Sequence, residues 1–536
     1  MLAPYTFGRL RLFIIIGSLL LFLVTTYGLS RSSSRTHPSH SWSGFTKASL
    51  TTNSKNGSLS IPELEEIPPL KPGESAFCED RFGPRYLEQL RDHTIQYCKP
   101  DSSAARLSCL HSHVHNDNNH DSFCIGQGAL LDLPQAKFVL DCEVRDPDAD
   151  EREKGLLAFS SLKTYWYQTG PKVVFDKYVE FSEGSAEPSS ELPQNKHKNE
   201  FAILIKREGE GNLWHCLMEI WAMTITMDTL RISRDSEDKP FFSFPEDIAN
   251  TQVFILDDKP NGPYFGLWEL LSKRKPLRLT GNKAEPKALA QYEGKRLDII
   301  APLPGASNSL WQNDWVVRDC TESPLLRLFV QRVFQHLHIP HKPGPHAPVK
   351  NQQDVTLTFI DRRGTRQLLH HEELIDGLRT RFPDVHVQSV DFGSIPFAEQ
   401  LRVVQETDVL VGVHGAGLTH TMFMREGAGA VVEIQPDGLF HKGFQNLAGM
   451  TGQRYFSAHA EMVAPGGRTE KRADKEDDGP GEGDTEYSSR GQSSRLRRDN
   501  DWQNSDVRME EDRFVALVEM AIKSLASEAV RSEDVV

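Results

Sequence analysis

The sequence lacks the short signatures of several common chemistries. No Gly-x-Ser-x-Gly elbow, P-loop or His-Glu-x-x-His run occurs in its 536 residues, which removes the simplest routes to a serine hydrolase, a P-loop NTPase or a zinc peptidase. A basic excess is also missing: 61 Lys and Arg face 75 Asp and Glu, for a net charge of −14. Nucleic acid is therefore not the natural partner, although a nucleotide ligand needs only a local positive field. Cysteine is scarce, seven in all, at spacings that match no zinc module. Five of them (Cys78, Cys98, Cys109, Cys124, Cys142) fall in one stretch, which in an oxidising compartment reads as disulfide bonding with the pairing left open. The histidine-rich "HSHVHNDNNH" (111–120) reads as a polar loop, and Asp148-Ala149-Asp150 has Asp-x-Asp spacing in what reads as an exposed loop. Nothing in the sequence requires a divalent metal; one can be accommodated without being essential.

What is present suggests an ordered chain of more than one domain. Residues 1–30 place Arg9 and Arg11 before an apolar run and predict either a secretory signal peptide or, favoured because "TTYGLS" is a poor small-residue cleavage site, a short cytoplasmic tail with a signal anchor, giving a single-pass type II protein whose body is luminal. Residues 31–74 read as a flexible stem. An α/β domain is expected over 75–345, where "FAILIK" and "TQVFILD" are buried-type strands. A second spans 350–462, where strands and helices alternate from "VTLTFI" to "AVVEIQP", as in a parallel sheet covered on both faces. Residues 463–505 mix both charges without hydrophobic periodicity and read as a disordered insertion; 506–536 predicts an amphipathic helix that packs back on the body.

Two constellations carry chemistry. In the second domain the buried strand "VLVGV" ends in His414, Gly415, Ala416, Gly417, Leu418 and Thr419. A strand that runs through glycines into a helix presents backbone N–H groups suited to a diphosphate. Arg362, Arg363 and Arg366 follow the first strand of that domain and belong on the same sheet edge, where guanidinium forks match phosphate oxygens. Glu433, in the next strand, is placed to accept hydrogen bonds from ribose hydroxyls. In the first domain the loop Glu208-Gly209-Glu210-Gly211 carries carboxylates that suit sugar or acceptor hydroxyls. Asn212 caps the helix that follows, and His215 and Glu219 sit one turn apart on it. A carboxylate beside an imidazole makes a general base for a hydroxyl. Asp257 and Asp258, at another strand end, are weaker candidates for the same side.

The stretches "REGEGNLWHCLMEIW", "DDKPNGPYFGLWELL" and "SVDFGSIPFAEQLRVVQETDVLVGVHGAGLTH" together resemble glycosyltransferase family 61, and within it the members that act on EGF domains. That resemblance implies a GT-B-like fold, two Rossmann-like domains facing a central cleft, with a UDP-sugar donor held by the second domain and an inverting transfer. It assigns Asn212, His215 and Glu219 to the acceptor side as catalytic residues. Arg363 and Arg366 become a basic pair, and His414, Gly415, Gly417 and Thr419 the donor loop. The implied reaction moves N-acetylglucosamine from UDP-GlcNAc to Ser or Thr of a secretory protein. Xylosyl or other glycosyl transfer to glycans, and a catalytically silent binding module, are the alternatives. A nucleotide-dependent oxidoreductase fits poorly, because "HGAGLTH" lacks the third glycine of that fingerprint. The family's animal members end in an ER-retention tetrapeptide where this sequence ends "SEDVV", so Golgi and ER are both expected sites of residence.

Overall fold

The computed structural model describes residues 70, 73–100, 105–113, 120–182, 200–281, 284–341, 355–463, 500–526 and 532–534. The expected anchor, nearly all of the stem and residues 464–499 of the expected 463–505 insertion lie outside them; Val463 ends a strand and Asn500–Gln503 form a 3-10 helix, so the expected disorder does not reach those ends. No helix among the described residues is long and apolar enough to cross a membrane.

The first sheet contains β1 (Thr94–Gln96), β2 (Arg106–His111), β3 (Ser122–Asp132), β4 (Lys137–Asp141), β5 (Val179–Ser182), β6 (Glu200–Ile205), β7 (Gln252–Ile255), β8 (Leu277–Arg278) and β9 (Arg296–Ala301). Its main order is β1-β2-β3-β9-β6-β7-β8. The side β9-β6-β7-β8 is parallel, as buried apolar strands such as "FAILI" predict. The other side is antiparallel, β1 to β2 to β3 to β9. Only half of this sheet therefore follows the expected Rossmann-like pattern. Disulfides staple the antiparallel half: Cys109–Cys124 joins β2 to β3, and Cys98–Cys142 closes the neighbouring loops. Cys78 leaves the cluster and pairs with Cys320.

The second sheet contains β10 (Thr356–Ile360), β11 (His386–Val390), β12 (Val409–Val413), β13 (Ala430–Pro436), β14 (Arg454–Val463), β15 (Asp506–Arg508) and β16 (Ser532–Asp534). Strands β11-β10-β12-β13-β14-β16 are parallel throughout. β15 was not foreseen in the sequence; it adds antiparallel to β14. The C-terminal helix Glu511–Ser524 does pack on the sheet, burying Phe514, Leu517, Val518, Ala521 and Ile522 in the same core as β10, β12 and β13.

Helix α1 (Leu213–Ile232) has apolar residues around its whole circumference, the composition of a helix covered on all sides. It is buried almost throughout. Its core cluster joins Phe201 and Ile203 of the first sheet to Leu410 and Val431 of the second, with Leu418 from the turn after β12. The described residues form one compact α/β unit in which two sheets share this middle layer.

Candidate active site

The parallel strands of the first sheet deliver Arg207 and Glu208 just past β6, Asp257 just past β7 and Gly305 just past β9. Carboxyl ends of parallel strands are where ligands bind in open α/β sheets. Asn212 caps α1, its Oδ1 accepting from the amides of Trp214 (3.0 Å) and His215 (3.4 Å). The cap satisfies amides that have no carbonyl one turn back, and it fixes the azimuth at which His215 leaves the helix.

The carboxylate facing His215 is not the one its helical spacing suggests. His215 Nδ1 lies 3.2 Å from Oε2 of Glu208, in the glycine loop. Glu208 Oε1 accepts from the Ala306 amide at 3.2 Å. Glu219 sits behind this pair, where its Oε1 accepts from the Glu208 amide at 2.8 Å and its Oε2 is buried without a partner. Burial pushes the Glu219 carboxyl well above its ordinary 4.5, and the neighbouring Glu208 charge adds to the rise. Burial also raises Glu208, against the opposing pull of His215. The three groups therefore stack as Glu219 below, where burial favours its protonated form, Glu208 in the middle against His215, and an imidazole whose Nε2 has no hydrogen bond among the described residues. The ring is 19% exposed and lies edge-on to Trp311 and Tyr167 at 4.4 and 5.3 Å between centroids. Gly305 is required by close approach: a Cβ there would meet Glu219 Cγ at 2.8 Å and Glu208 Oε1 at 3.1 Å.

Asp257 is committed elsewhere. It accepts from the Arg207 amide, Nε and Nη2 at 2.9, 3.1 and 2.7 Å, and this buried ion pair shapes the 257–261 loop. Its expected role toward acceptor hydroxyls is corrected to a structural one, because its oxygens are occupied. Asp258 is exposed, at the edge of that loop beside Gly281. Glu210 is half-buried, its carbonyl packed against Gly262.

In the second sheet, β10 and β12 are parallel neighbours, so the loops after them meet. Gly415 has φ +144°, a region that disfavours side chains, and a Cβ on it would stand 2.7 Å from Arg362 Nη1 and 2.9 Å from Arg366 Nη1. The basic pair at the glycine loop is thus Arg362 and Arg366. Arg363, expected in that pair, points to solvent with 63% exposure and pairs with Asp361. Alternation explains the exchange: consecutive residues leaving a strand project to opposite sides. Neither Arg362 nor Arg366 has a carboxylate partner among the described residues. Burial lowers both, and Arg366, beside the like charge of Arg362, is pushed down to about 10. Both stay charged at neutral pH. The helix expected after the glycines is a 3-10 helix, Ala416–Phe423. Its first amides still lack carbonyl partners within the helix. Leu418 is core, and Thr419 is fully buried with an unpartnered hydroxyl.

Glu433 is fully buried, so the expected contact with ribose hydroxyls is corrected. One oxygen accepts from His414 Nδ1 and the other from the Tyr455 hydroxyl, both at 2.5 Å. Burial opposes its charge, yet these hydrogen bonds hold the carboxyl below its ordinary value. Burial holds His414 below the usual imidazole value. Both directions describe a neutral His414 whose tautomer Glu433 fixes. Sequence reasoning missed Tyr455 and Arg207, whose only signal was a polar residue within or just after a buried strand.

Two ring contacts connect the constellations. Trp214, beside His215, meets Phe444 at 5.4 Å, and Phe444 meets His414 at 5.4 Å.

Residues 214–431 match the family model described as Glycosyltransferase 61. An EGF domain-specific O-linked N-acetylglucosamine transferase of Drosophila melanogaster is 33% identical over 183 residues, which is 33% of this chain and 32% of that protein. The Bos taurus protein of the same name is 31% identical over 176 residues, 32% of each. The chain thus matches about a third of the length of these curated relatives. The match holds His215, Glu219, both loop arginines and the glycine loop, while Glu208 and Glu433 lie just outside it and Tyr455 well beyond its end. From Trp214 to Val431, the stretch that carries most of both constellations, this chain is similar to glycosyltransferase family 61.

Proposed function

We propose that this protein is an inverting glycosyltransferase that takes its sugar from a nucleoside diphosphate. The observation that carries the reading is the pair Arg362 and Arg366, two half-buried guanidiniums without carboxylate partners among the described residues, turned toward a glycine that a side chain would displace them from. Permanent positive charge beside open amides suits a diphosphate leaving group, and fixed in place it stabilises charge that develops in the transition state.

In this reading an acceptor hydroxyl gives its proton to His215 Nε2 while its oxygen attacks the anomeric carbon from the face opposite the diphosphate. The bond between that carbon and the diphosphate oxygen breaks, and its electron pair leaves with the nucleotide. Glu208 fixes the imidazole tautomer and stabilises the imidazolium that forms. The arginines supply the charge that a divalent ion supplies elsewhere, so turnover should survive a chelator. The relatives' name supports UDP-N-acetylglucosamine as donor and a protein Ser or Thr as acceptor. Three disulfides fit an oxidising compartment, in keeping with a type II protein of the Golgi or ER with its site in the lumen. The GT-B-like cleft belongs to the same reading, with donor and acceptor meeting at the facing carboxyl ends of the two sheets.

The test is UDP binding by calorimetry together with donor hydrolysis across a panel of UDP-sugars. Arg362→Ala and Arg366→Ala should each weaken UDP binding about 10- to 100-fold, the loss of a charged hydrogen bond, whereas Arg363→Ala should leave it unchanged. Equal loss at all three positions, or none, refutes the reading. His215→Ala should lower turnover by about 10²–10⁴-fold with UDP affinity retained.

A further inference from the structure

Trp502 lies outside both constellations in sequence and touches the donor side in space. Its indole sits 5.3 Å from the Arg366 guanidinium carbon and 5.3 Å, edge to face, from the His414 ring. The strand that follows it is stitched to the arginine loop. The Gln367 amide donates to Asp506 Oδ1 at 2.9 Å, the Val507 amide to Gln367 O at 2.9 Å, and the Leu369 amide to Val507 O at 2.8 Å. Arg366 itself has φ +60°, unusual for a side-chain-bearing residue, and its Nε is buried with no hydrogen bond among the described residues. Such a conformation persists only where the surroundings enforce it.

A buried arginine is ordinarily oriented by a carboxylate. At a phosphate site that solution defeats itself, because the carboxylate neutralises the field the phosphate needs. An aromatic face attracts the guanidinium through its quadrupole and adds no net charge. We propose that Trp502 is the positioning residue of Arg366: it holds the guanidinium toward Gly415 while leaving its charge available to a phosphate-bearing ligand. This rests on the reading of Arg362 and Arg366 as a diphosphate site.

Three substitutions separate the ring's face from its bulk and from charge. Trp502→Leu keeps apolar volume without a π face and should weaken UDP binding about 2- to 30-fold, the range of a cation–π contact. Trp502→Phe should recover most of the affinity. Trp502→Glu orients Arg366 but neutralises it, and should bind UDP more weakly than the Leu variant. Uridine, which has no phosphate, should bind parent and Leu variant alike. Melting temperature is read for each, and Trp502→Phe carries the comparison if another variant does not fold. The inference is overturned if the Leu variant binds UDP like the parent, if the Phe variant loses as much as the Leu variant, or if uridine binding falls in step with UDP. If Arg366→Ala also leaves UDP binding intact, the diphosphate site itself is wrong; if Arg366→Ala abolishes binding and Trp502→Leu does nothing, only the role of Trp502 falls.

Discussion

Glu219 is a carboxyl that the fold keeps protonated. Unfolded, it releases its proton near the ordinary 4.5; folded, burial and the Glu208 charge keep the proton on well above that value. The native state therefore binds more protons than the unfolded state over that window. The stability contribution is full below 4.5 and is lost as pH rises toward the raised value, by about 1.4 kcal/mol per pH unit. Glu219→Gln keeps the shape and the acceptor for the Glu208 amide and removes the titration. It should melt higher than the parent at neutral pH, with the difference vanishing below 4.5 in a pH series of thermal melts. A parent that gains stability relative to the variant as pH rises would contradict the assignment. In the proposed mechanism the proton acceptor is His215, so the same variant should keep turnover within about tenfold of the parent, where loss of a true base costs about 10²–10⁴-fold. Glu208→Gln, which removes the carboxylate that fixes the imidazole, should fall in the latter range.

At the level of elements, the second sheet was legible because each strand is a short buried run punctuated by a helix. Its glycine loop followed from topology, since loops after neighbouring parallel strands share one edge. The partners within the site were less legible. His215 and Glu219 satisfy helical spacing, but α1 is buried on all sides, so its period does not say which face meets which loop; Glu208 enters from outside the helix. Arg363 and Glu433 were misplaced for another reason. Sequence locates a strand end, whereas the side each residue faces depends on where the strand stops. β15 was invisible because its three residues pair only with distant chain. The glycine loop yields its own expectation. In Gly415→Ala the added methyl has strained backbone behind it and two guanidiniums in front. These long side chains can swing aside, so folding should suffer by about 1–3 kcal/mol at most. UDP affinity should fall about 10- to 100-fold, as if one charged contact were gone. Thermal melts and UDP titration on one sample separate the two losses, and an unchanged affinity would mean that the arginines do not work from this position.

Across the whole molecule, one segment joins the two halves of the site. Residues 302–322 leave β9, and Ala306 gives its amide to Glu208. Trp311 then flanks His215, and Asp314 pairs with His441 at 3.1 Å. Asn446 receives the Arg318 amide at 2.8 Å and donates to the carbonyls of Asn313 and Val316 at 3.0 and 2.8 Å. Beyond that, Cys320 is bonded to Cys78, 242 residues away in sequence. A crosslink closing so long a loop restricts the unfolded chain strongly, and its loss typically costs about 2–5 kcal/mol. Replacing both cysteines by serine should therefore lower the melting temperature. It should also act unequally on the reaction. The arginine and glycine loops are held directly by β10, β12 and β15 and meet this segment only through His441, which packs on His414 at 4.7 Å, so UDP affinity should stay close to that of the parent. The Glu208–His215 pair takes one hydrogen bond and one aromatic wall from the segment, so turnover at saturating donor should drop. Measuring both on the double variant, well below its melting temperature, decides the point. A drop in UDP affinity with turnover intact would show that the disulfide braces the donor side instead, and the segment would lose its place as the support of the proton acceptor.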